Sequence, residues 1–334
     1  MSGRHGAEPE TAASPATAAR AAPPTLEDVR AAAVRIAPHA RRTPVMRSSA
    51  IDEIVGASLH FKCENLQRVG AFKFRGACNT LFSLPDSEIA GGVATHSSGN
   101  HGAAVALAAR LRGTSSFVVM PRNASRIKRA AVEHYGGRVI ECEPGDAARD
   151  AALAEVVAAH GATVVHPFDD YRVIAGQGTA ALELLEQVAD LDLVVAPVGG
   201  GGLLSGTAVV VAGLGARTRV AGAEPAAADD TYRSFRVGER LPVDAPDTIA
   251  DGLRTSVGAL TFPIIKRHVS DIACASEAAI VEAMRLIWTR MKLVVEPSAA
   301  VPLAAILEGA LDVGGARVAI MLTGGNVDLD SLPW

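Results

Sequence analysis

The chain alternates between short apolar strands and alanine-rich helices, and this alternation restricts its fold more than any other feature. The strand-like runs are SLHFKCE, GGVATH, SSFVVMP, GRVIEC, ATVVHP, LDLVVAPV, RVAGAEP and RVAIMLTGG. Segments of helical length that end in glycine, such as HGAAVALAARLRG, separate them. Most runs lack polar alternation, as expected for strands covered on both faces. The pattern therefore predicts an α/β protein with mostly parallel sheets.

Eight or more strands in 334 residues indicate two lobes, each an open twisted sheet with helices on both faces. We assign residues 25–85 and 166–334 to a large domain and residues 86–165 to a small domain. Residues 1–24 are rich in Ala, Pro, Glu and Thr and have no aromatic residue, which is typical of a disordered leader. Ligands of such sheets bind beyond the carboxyl ends of the strands.

The bulk properties exclude several classes of function. The net charge is −4 with no basic block, so neither nucleic acid nor an anionic membrane is an expected partner. The longest apolar run, LLSGTAVVVAGLG, is too short and too diluted for a membrane span and predicts a buried helix. The four cysteines form no CxxC pair, which argues against zinc and disulfides and favours a reducing cytosol.

Two motifs that follow predicted strands are typical of anion sites. In VVAPVGGGGLLSG a strand runs into Gly199–Gly202 and then a helix, so backbone N–H groups and a helix N-terminus converge, as a phosphate requires. The alternative is a flexible turn. In ATHSSGNHGAA hydroxyls, an amide and imidazoles occupy the same kind of position. The alternative there is an ordinary helix cap made by Ser98 or Asn100.

Two further motifs are weaker on their own. LTGGN offers the hydroxyl of Thr323 beyond a strand end, and otherwise is only a turn signal. In AGAEPAAADD, Glu224 and Asp230 are candidate ligands of a hard cation together with an intervening carbonyl. A solvated acidic turn is the alternative interpretation. The nominal G-x-G-x-x-A in GQGTAA has no strand directly before it, and we therefore discount it as a dinucleotide site.

Lys73 lies between Phe72 and Phe74 in VGAFKFRGA. Partial burial among rings lowers the pKa of an amine and makes it nucleophilic, whereas a lysine that only packs its stem keeps its charged head in water. A nucleophilic lysine, a separate phosphate cradle and no nucleotide motif together indicate a phosphorylated carbonyl cofactor. Pyridoxal phosphate is the obvious candidate.

Together these stretches resemble the family of serine racemases and serine/threonine dehydratases, pyridoxal phosphate enzymes with the fold of the tryptophan synthase β-subunit. The resemblance runs from about Leu26 to the C-terminus. It is carried by KCENLQRVGAFKFRGA, THSSGNHG, VIAGQGTAALELL, PVGGGGLLSG, TIADGL, RMKLVVEPSAA and TGGNVD, in the family's order. It implies a cofactor in the cleft between the two domains. Ala71 is shared with the branch that includes threo-3-hydroxyaspartate dehydratases, and Phe168 replaces an asparagine of mammalian racemases.

The resemblance also implies a role for each matching position. Lys73 would hold the cofactor covalently and act as a base on one face, and Ser98 would be the base on the opposite face in racemisation. The other cofactor-binding positions are Phe72, Asn100, Gly199, Gly200, Gly201, Gly202, Leu203 and Thr323. The substrate positions are Ser97, Ser98, His101, Arg149 and Thr255. The metal positions, for Mg²⁺ or else Mn²⁺ or Ca²⁺, are Glu224, the carbonyl of Ala228 and Asp230.

The implied activity is that of an ammonia-lyase (EC 4.3.1.-) that converts a small β-hydroxy L-amino acid to a 2-oxo acid and ammonia. L-Threonine, L-serine and threo-3-hydroxyaspartate are all open as substrates. Racemisation (EC 5.1.1.-), alone or alongside the dehydratase activity, is the first alternative, and a catalytically silent sensor of metabolites is the second. The resemblance further implies a cytoplasmic homodimer.

Overall fold

The computed structural model of the chain describes residues 22–97, 99–243 and 246–334. Its strands are β1 (Val45–Met46), β2 (Ser58–Cys63), β3 (Val93–His96), β4 (Ser116–Pro121), β5 (Arg138–Cys142), β6 (Thr163–Val164), β7 (Leu193–Pro197), β8 (Arg219–Pro225), β9 (Asp271–Ala275) and β10 (Arg317–Leu322). Its α-helices are α1 (Leu26–Ile36), α2 (Ser49–Val55), α3 (Lys73–Ser83), α4 (Asn100–Arg112), α5 (Arg126–His134), α6 (Asp146–His160), α7 (Tyr171–Gln187), α8 (Gly202–Gly213), α9 (Asp230–Val237), α10 (Thr261–His268), α11 (Glu277–Leu286) and α12 (Pro297–Leu307).

The strands form two sheets. One has six strands in the order β1-β2-β10-β7-β8-β9, and the other has four in the order β5-β4-β3-β6. All pairs are parallel except β1 with β2. The prediction of an α/β protein with two mostly parallel sheets is therefore confirmed. The two-residue strand β1 and the edge strand β9 were not predicted, because neither has a long apolar run.

Both faces of the six-stranded sheet are buried, as the unbroken apolar strands predicted. Along β10, Ile320 packs into one hydrophobic cluster with residues of α11 and α12. Its neighbour Met321 packs into another cluster with residues of α1, α7, α8 and α10. Successive side chains of a strand point to opposite faces, so two helical layers cover the sheet.

Helix α8 is the buried helix predicted from LLSGTAVVVAGLG, and it packs closely on α7. A Cβ at Gly206 would lie 2.5 Å from the carbonyl oxygen of Ile174 in α7. The GQGTAA stretch lies inside α7. Gly178 of that stretch faces Gly206, so its glycines serve helix contact. A glycine stretch inside a helix-packing face is consistent with the interpretation that GQGTAA is not a dinucleotide site.

Strands β3 to β6 all fall within residues 86–165, and the other strands fall outside this range. The domain limits themselves stay a prediction. Most of the predicted leader, residues 1–21, lies outside the described residues. Across the described ranges no helix has the length and apolar character that crossing a membrane requires. All four cysteines are free thiols.

Candidate active site

Lys73 is the first residue of α3, and its side chain is directed toward the loop that follows β6. Its Nζ donates a hydrogen bond to the carbonyl oxygen of Pro167 at 2.8 Å and lies 5.2 Å from the ring centroid of Phe72. Burial lowers the pKa of the amine to about 8, and the nearby carboxylate of Glu296 opposes part of this shift. The amine is therefore partly neutral and nucleophilic near neutral pH.

The expectation that Lys73 lies between two aromatic rings is wrong in one respect. Only Phe72 is next to the amine. Phe74 is fully buried in a separate cluster with residues of α4. Lys73 starts a helix, in which each residue turns by about 100°, so flanking residues cannot face the same side.

The turn that precedes Lys73 is joined to the end of β10. The backbone N–H of Phe72 donates to the carbonyl oxygen of Thr323 at 3.0 Å, and Ala71 pairs with Gly324 in an isolated antiparallel bridge. Thr323 is buried. The two expected cofactor positions Phe72 and Thr323 are therefore adjacent, although 251 residues of sequence separate them.

The glycine loop joins β7 to α8. Gly201 has a φ of +86° and precedes the first residue of α8. Within the described residues, no backbone N–H from Gly199 to Leu203 donates to a protein acceptor; the next donor that does is Ser205, which bonds to Gly201 at 2.9 Å. Five adjacent donors at a helix N-terminus form an anion cradle. Exposed Thr255 lies beside it, 3.3 Å from where a Cβ on Gly199 would be.

Residues 166–170, which follow β6, fasten this loop to Lys73. Nδ1 of His166 accepts hydrogen bonds from the backbone N–H groups of Phe168 at 3.3 Å and Asp169 at 2.8 Å. The Phe168 ring covers Gly200, where a Cβ would lie 2.2 Å from ring atoms. The Asp169 carboxylate accepts from backbone N–H groups at the start of α10. Beyond the replacement at Phe168, no sequence motif predicted a role for this segment.

The polar loop after β3 brings Asn100 and His101 close to the residues around Lys73. Asn100 is the first residue of α4. Its side-chain amide donates to both carboxylate oxygens of Glu296, at 2.8 and 3.1 Å, and accepts a hydrogen bond from Asn326 at 2.8 Å. Asn100 is thus not a helix cap. Ser97 Oγ accepts from the N–H of Gly99 at 3.3 Å. Ser98, the second expected base, lies outside the described residues.

His101 is buried and uncharged. Its Nε2 lies 3.1 Å from the carbonyl oxygen of Val165, whereas its Nδ1 is buried and has no hydrogen-bond partner among the described residues. Burial, followed by the positive charge of Lys73, holds the pKa of His101 well below its usual value. An orphaned polar atom beside the amine is a candidate contact for a ligand.

Arg149 lies on α6, and no hydrogen bond joins it directly to Lys73 among the described residues. It forms an ion pair with Asp146, whose side chain is 87% exposed, and its buried Nε has no partner in the described part of the chain. Its charge helps to lower the pKa of His96. The His96 ring is 5.9 Å from the ring of His166. Arg149 is therefore joined to the lysine site through two imidazoles.

The expected metal positions lie at the end of β8 and in the turn that follows it, and the solvated-turn interpretation does not hold for them. Glu224 and Asp230 are fully buried. Burial, together with the charge of Asp230, holds the pKa of Glu224 well above its usual range. Oδ1 of Asp230 has no hydrogen-bond partner among the described residues. Ala228 is buried between them in a short 3₁₀ turn.

The residues at the cleft fit pyridoxal phosphate. The cluster of free N–H groups suits a phosphate, the partly neutral amine of Lys73 suits a carbonyl, and Thr323 offers a buried hydroxyl at the end of β10. All three follow or adjoin carboxyl ends of strands in the six-stranded sheet, where ligands of such sheets bind. The fold and the cleft therefore define a cofactor-dependent enzyme of the two-sheet α/β class.

Comparison with known proteins agrees with this class. Residues 36–324 match the family described as pyridoxal-phosphate dependent enzyme, and the chain belongs to that family. A beta-hydroxyaspartate dehydratase of Paracoccus denitrificans is 54% identical, over 93% of this chain and 99% of its own. A serine racemase of Dictyostelium discoideum is 48% identical, over 92% of this chain and 96% of its own.

A solved structure extends the likeness to three dimensions. Maize serine racemase superimposes with a TM-score of 0.90 at 43% identity, covering 92% of this chain and 94% of its own. The predicted dehydratase and racemase family and its pyridoxal phosphate cofactor are thus confirmed. Glu296, Asn326, His166 and Pro167 were missed as site residues. Glu296 and Asn326 stood inside the quoted motifs RMKLVVEPSAA and TGGNVD, which were the only signal available for them.

Proposed function

We propose that the chain is an ammonia-lyase that removes water from 3-hydroxyaspartate, with release of a 2-oxo acid and ammonia. The observation that carries the choice of substrate is the positive charge of Arg149, which pairs with the highly exposed Asp146 and whose buried Nε has no partner among the described residues. The 54% identity to a beta-hydroxyaspartate dehydratase supports the same choice. Serine and threonine have no second carboxylate to pair with such a charge.

Arg149 is available for a substrate carboxylate because its present ion pair is weak. Asp146 is highly exposed, and exposed pairs contribute little. The Nε of Arg149 is buried without a partner among the described residues, which is costly unless a ligand supplies an acceptor. The imidazoles of His96 and His166 between Arg149 and Lys73 both have lowered pKa values, mainly through burial, so they add no charge of their own.

The chain's residues supply binding, charge and proton transfer. When bound, pyridoxal phosphate supplies an electron sink that acidifies the α-hydrogen of an amino acid. Lys73, partly neutral because its pKa is about 8, accepts that proton at Nζ. Thr323 provides a neutral hydroxyl, and Phe168 covers the glycine loop and excludes water from it.

A substrate panel tests the proposal. Ammonia and 2-oxo acid release should be fastest from 3-hydroxyaspartate and slower from serine and threonine. Arg149→Met should raise KM for 3-hydroxyaspartate by roughly 30-fold, since a lost charge-assisted pair costs about 2 kcal/mol, and should leave KM for serine within about threefold. Arg122→Met, which removes an exposed arginine near the same sheet, is the matched control.

Two results would contradict the substrate assignment. One is faster release from serine than from 3-hydroxyaspartate. The other is an equal loss for both substrates in Arg149→Met, which would place Arg149 at the carboxylate that all amino acids share. Separation of D- and L-enantiomers in the same reactions detects racemisation, which the likeness to serine racemases favours as a second activity.

We also propose that Mg²⁺ binds at Glu224, Asp230 and the carbonyl of Ala228. Two fully buried carboxylates disfavour each other's charge, and a divalent cation offsets this cost. Chelation should lower the melting temperature, and added Mg²⁺ should restore it in the parent protein but not in Asp230→Asn. Equal stability with and without Mg²⁺ would refute the site.

The family likeness further leads us to propose a cytoplasmic homodimer. Four free thiols suit a reducing compartment. Light scattering should give twice the 34.3 kDa mass of the chain; a single-chain mass would refute the dimer.

A further inference from the structure

Glu296 occupies the N-cap position of α12 but does not cap that helix. Its side chain makes no capping hydrogen bond, and the residue is only 4% exposed. A carboxylate at this position ordinarily accepts from the first turn of its own helix. The Glu296 carboxylate instead accepts from the side-chain amide of Asn100, 196 residues away in the sequence. The structure thus uses this carboxylate for a contact with the cofactor cleft.

The neighbouring backbone leaves room for the Glu296 carboxylate. A Cβ at Gly324 would lie 2.3 Å from Oε1 of Glu296, so a larger residue at this position would displace the carboxylate. The backbone N–H of Glu296 also donates to the carbonyl oxygen of Gly324 at 3.0 Å. Gly324 directly follows Thr323, the residue expected to face the cofactor ring. The carboxylate is therefore built into the wall of the site.

Asn326 completes the arrangement from the other side. Its Nδ2 donates to Oδ1 of Asn100 at 2.8 Å and to the carbonyl oxygen of Val69 at 2.7 Å. Its backbone N–H interacts with the Glu296 carboxylate. A carboxylate only accepts, and the amide of Asn326 donates, so the side chain of Asn100 has one permitted orientation.

The carbonyl of Val69, which accepts the hydrogen bond from Asn326, belongs to a strained turn. Val69 has a φ of +55°, which is unfavourable for a β-branched residue and is retained only where surrounding contacts enforce it. The turn leads through Gly70 directly to Lys73, and the N–H of Gly325 donates to the carbonyl oxygen of Gly70 at 2.9 Å. Asn326 therefore fastens the turn that carries the lysine and orients the amide of Asn100 at once.

We propose that Glu296 and Asn326 are positioning residues that hold the amide of Asn100 and the turn before Lys73 in fixed relation, and so set the affinity and the absorption spectrum of the bound cofactor. Neither residue needs to touch the reacting atoms. The assignment depends on pyridoxal phosphate binding and not on the identity of the substrate. Burial and the nearby charge of Asp251 raise the pKa of Glu296 to about 7, so affinity and spectrum are measured well above that pH, where the ionised carboxylate only accepts.

Two variants and their combination test the assignment. Glu296→Gln keeps the volume but replaces an obligate acceptor with a group that also donates, which permits Asn100 to flip. Asn326→Ala removes the donor to both carbonyl groups. Each should weaken pyridoxal phosphate binding by roughly 10- to 30-fold, as expected for the loss of one or two ordinary hydrogen bonds, and should shift the visible absorption maximum of the bound cofactor.

The double variant separates positioning from a general loss of stability. If both residues act through the same amide, their effects on the cofactor dissociation constant will not add. Glu308→Gln, an exposed glutamate at the other end of α12, is the matched control and should leave affinity and spectrum unchanged. Circular dichroism verifies that each variant is folded. If Asn326→Ala does not fold, the more conservative variant Glu296→Gln decides the outcome.

Wild-type affinity and spectrum in Glu296→Gln would overturn the proposal, as would strictly additive effects in the double variant. Both measurements are made without substrate. The inference about these two residues is therefore judged separately from the proposed reaction on 3-hydroxyaspartate.

Discussion

Replacement of Arg75 by methionine should destabilise the protein by about 3–5 kcal/mol, because it leaves a buried carboxylate without its partner. Arg75 and Glu64 are both fully buried and share two hydrogen bonds, at 2.7 and 2.8 Å. Arg75 also bonds to both oxygens of Glu183 at 2.8 Å. Glu183 keeps Lys62 at 2.7 Å when Arg75 is removed. Among the described residues, Glu64 keeps a hydrogen bond from the Thr43 hydroxyl at 2.6 Å and an electrostatic attraction to Lys62, so it is the group that bears most of the penalty.

Urea unfolding followed by circular dichroism measures this loss. Arg42→Met is the matched control, since Arg42 pairs with Glu186 at the surface and its removal should cost about 1 kcal/mol or less. Adding Glu64→Gln to Arg75→Met should recover part of the loss, because a neutral amide is less costly to bury than an unpaired carboxylate. A loss in Arg75→Met no larger than in the surface control would refute the reasoning.

Three further outcomes follow from the site. The rate at which the cofactor-free protein takes up pyridoxal phosphate, followed by absorbance, should rise with pH with a midpoint at about pH 8, where half of the Lys73 amine is neutral; a midpoint near its ordinary pKa of 10.5 would contradict this. His166 stays neutral in the folded protein down to a pKa of about 3, whereas the unfolded chain takes up a proton below 6.5. His166 alone should therefore lower the free energy of unfolding by about 1.5–2 kcal/mol from pH 6.5 to 5, and His166→Asn should lose that part of the total slope, to which buried His101 also contributes. Gly200→Ala should weaken cofactor binding at least about tenfold through a clash with the Phe168 ring, and Phe168→Ala in the same chain should restore part of it; no recovery would exclude the clash as the cause.

The sheets and the glycine loop were predictable because their signals are local. Apolar runs, helix-ending glycines and the Gly199–Gly202 stretch are each read within a dozen residues. The partners of Asn100 were not predictable in this way, since Glu296 is 196 residues away and Asn326 is 226 residues away. The position of Phe74 was misjudged because its contacts are made by α4 and not by its neighbours in the sequence.

The order of the six-stranded sheet also bears on how the chain is made. β10, the last strand, lies between β2 and β7, and Leu59 of β2 is in register with Val318. During synthesis β2 can pair with the two-residue strand β1, but its second neighbour β10 emerges about 260 residues later, roughly 15–50 s at ordinary elongation rates. Strands β3 to β6 are contiguous and are complete by residue 164, so they fold on the ribosome first. The edge of β2 that carries Leu59 and Phe61 thus stays unpaired until β10 has emerged, and we expect this interval to be an aggregation-prone stage of synthesis.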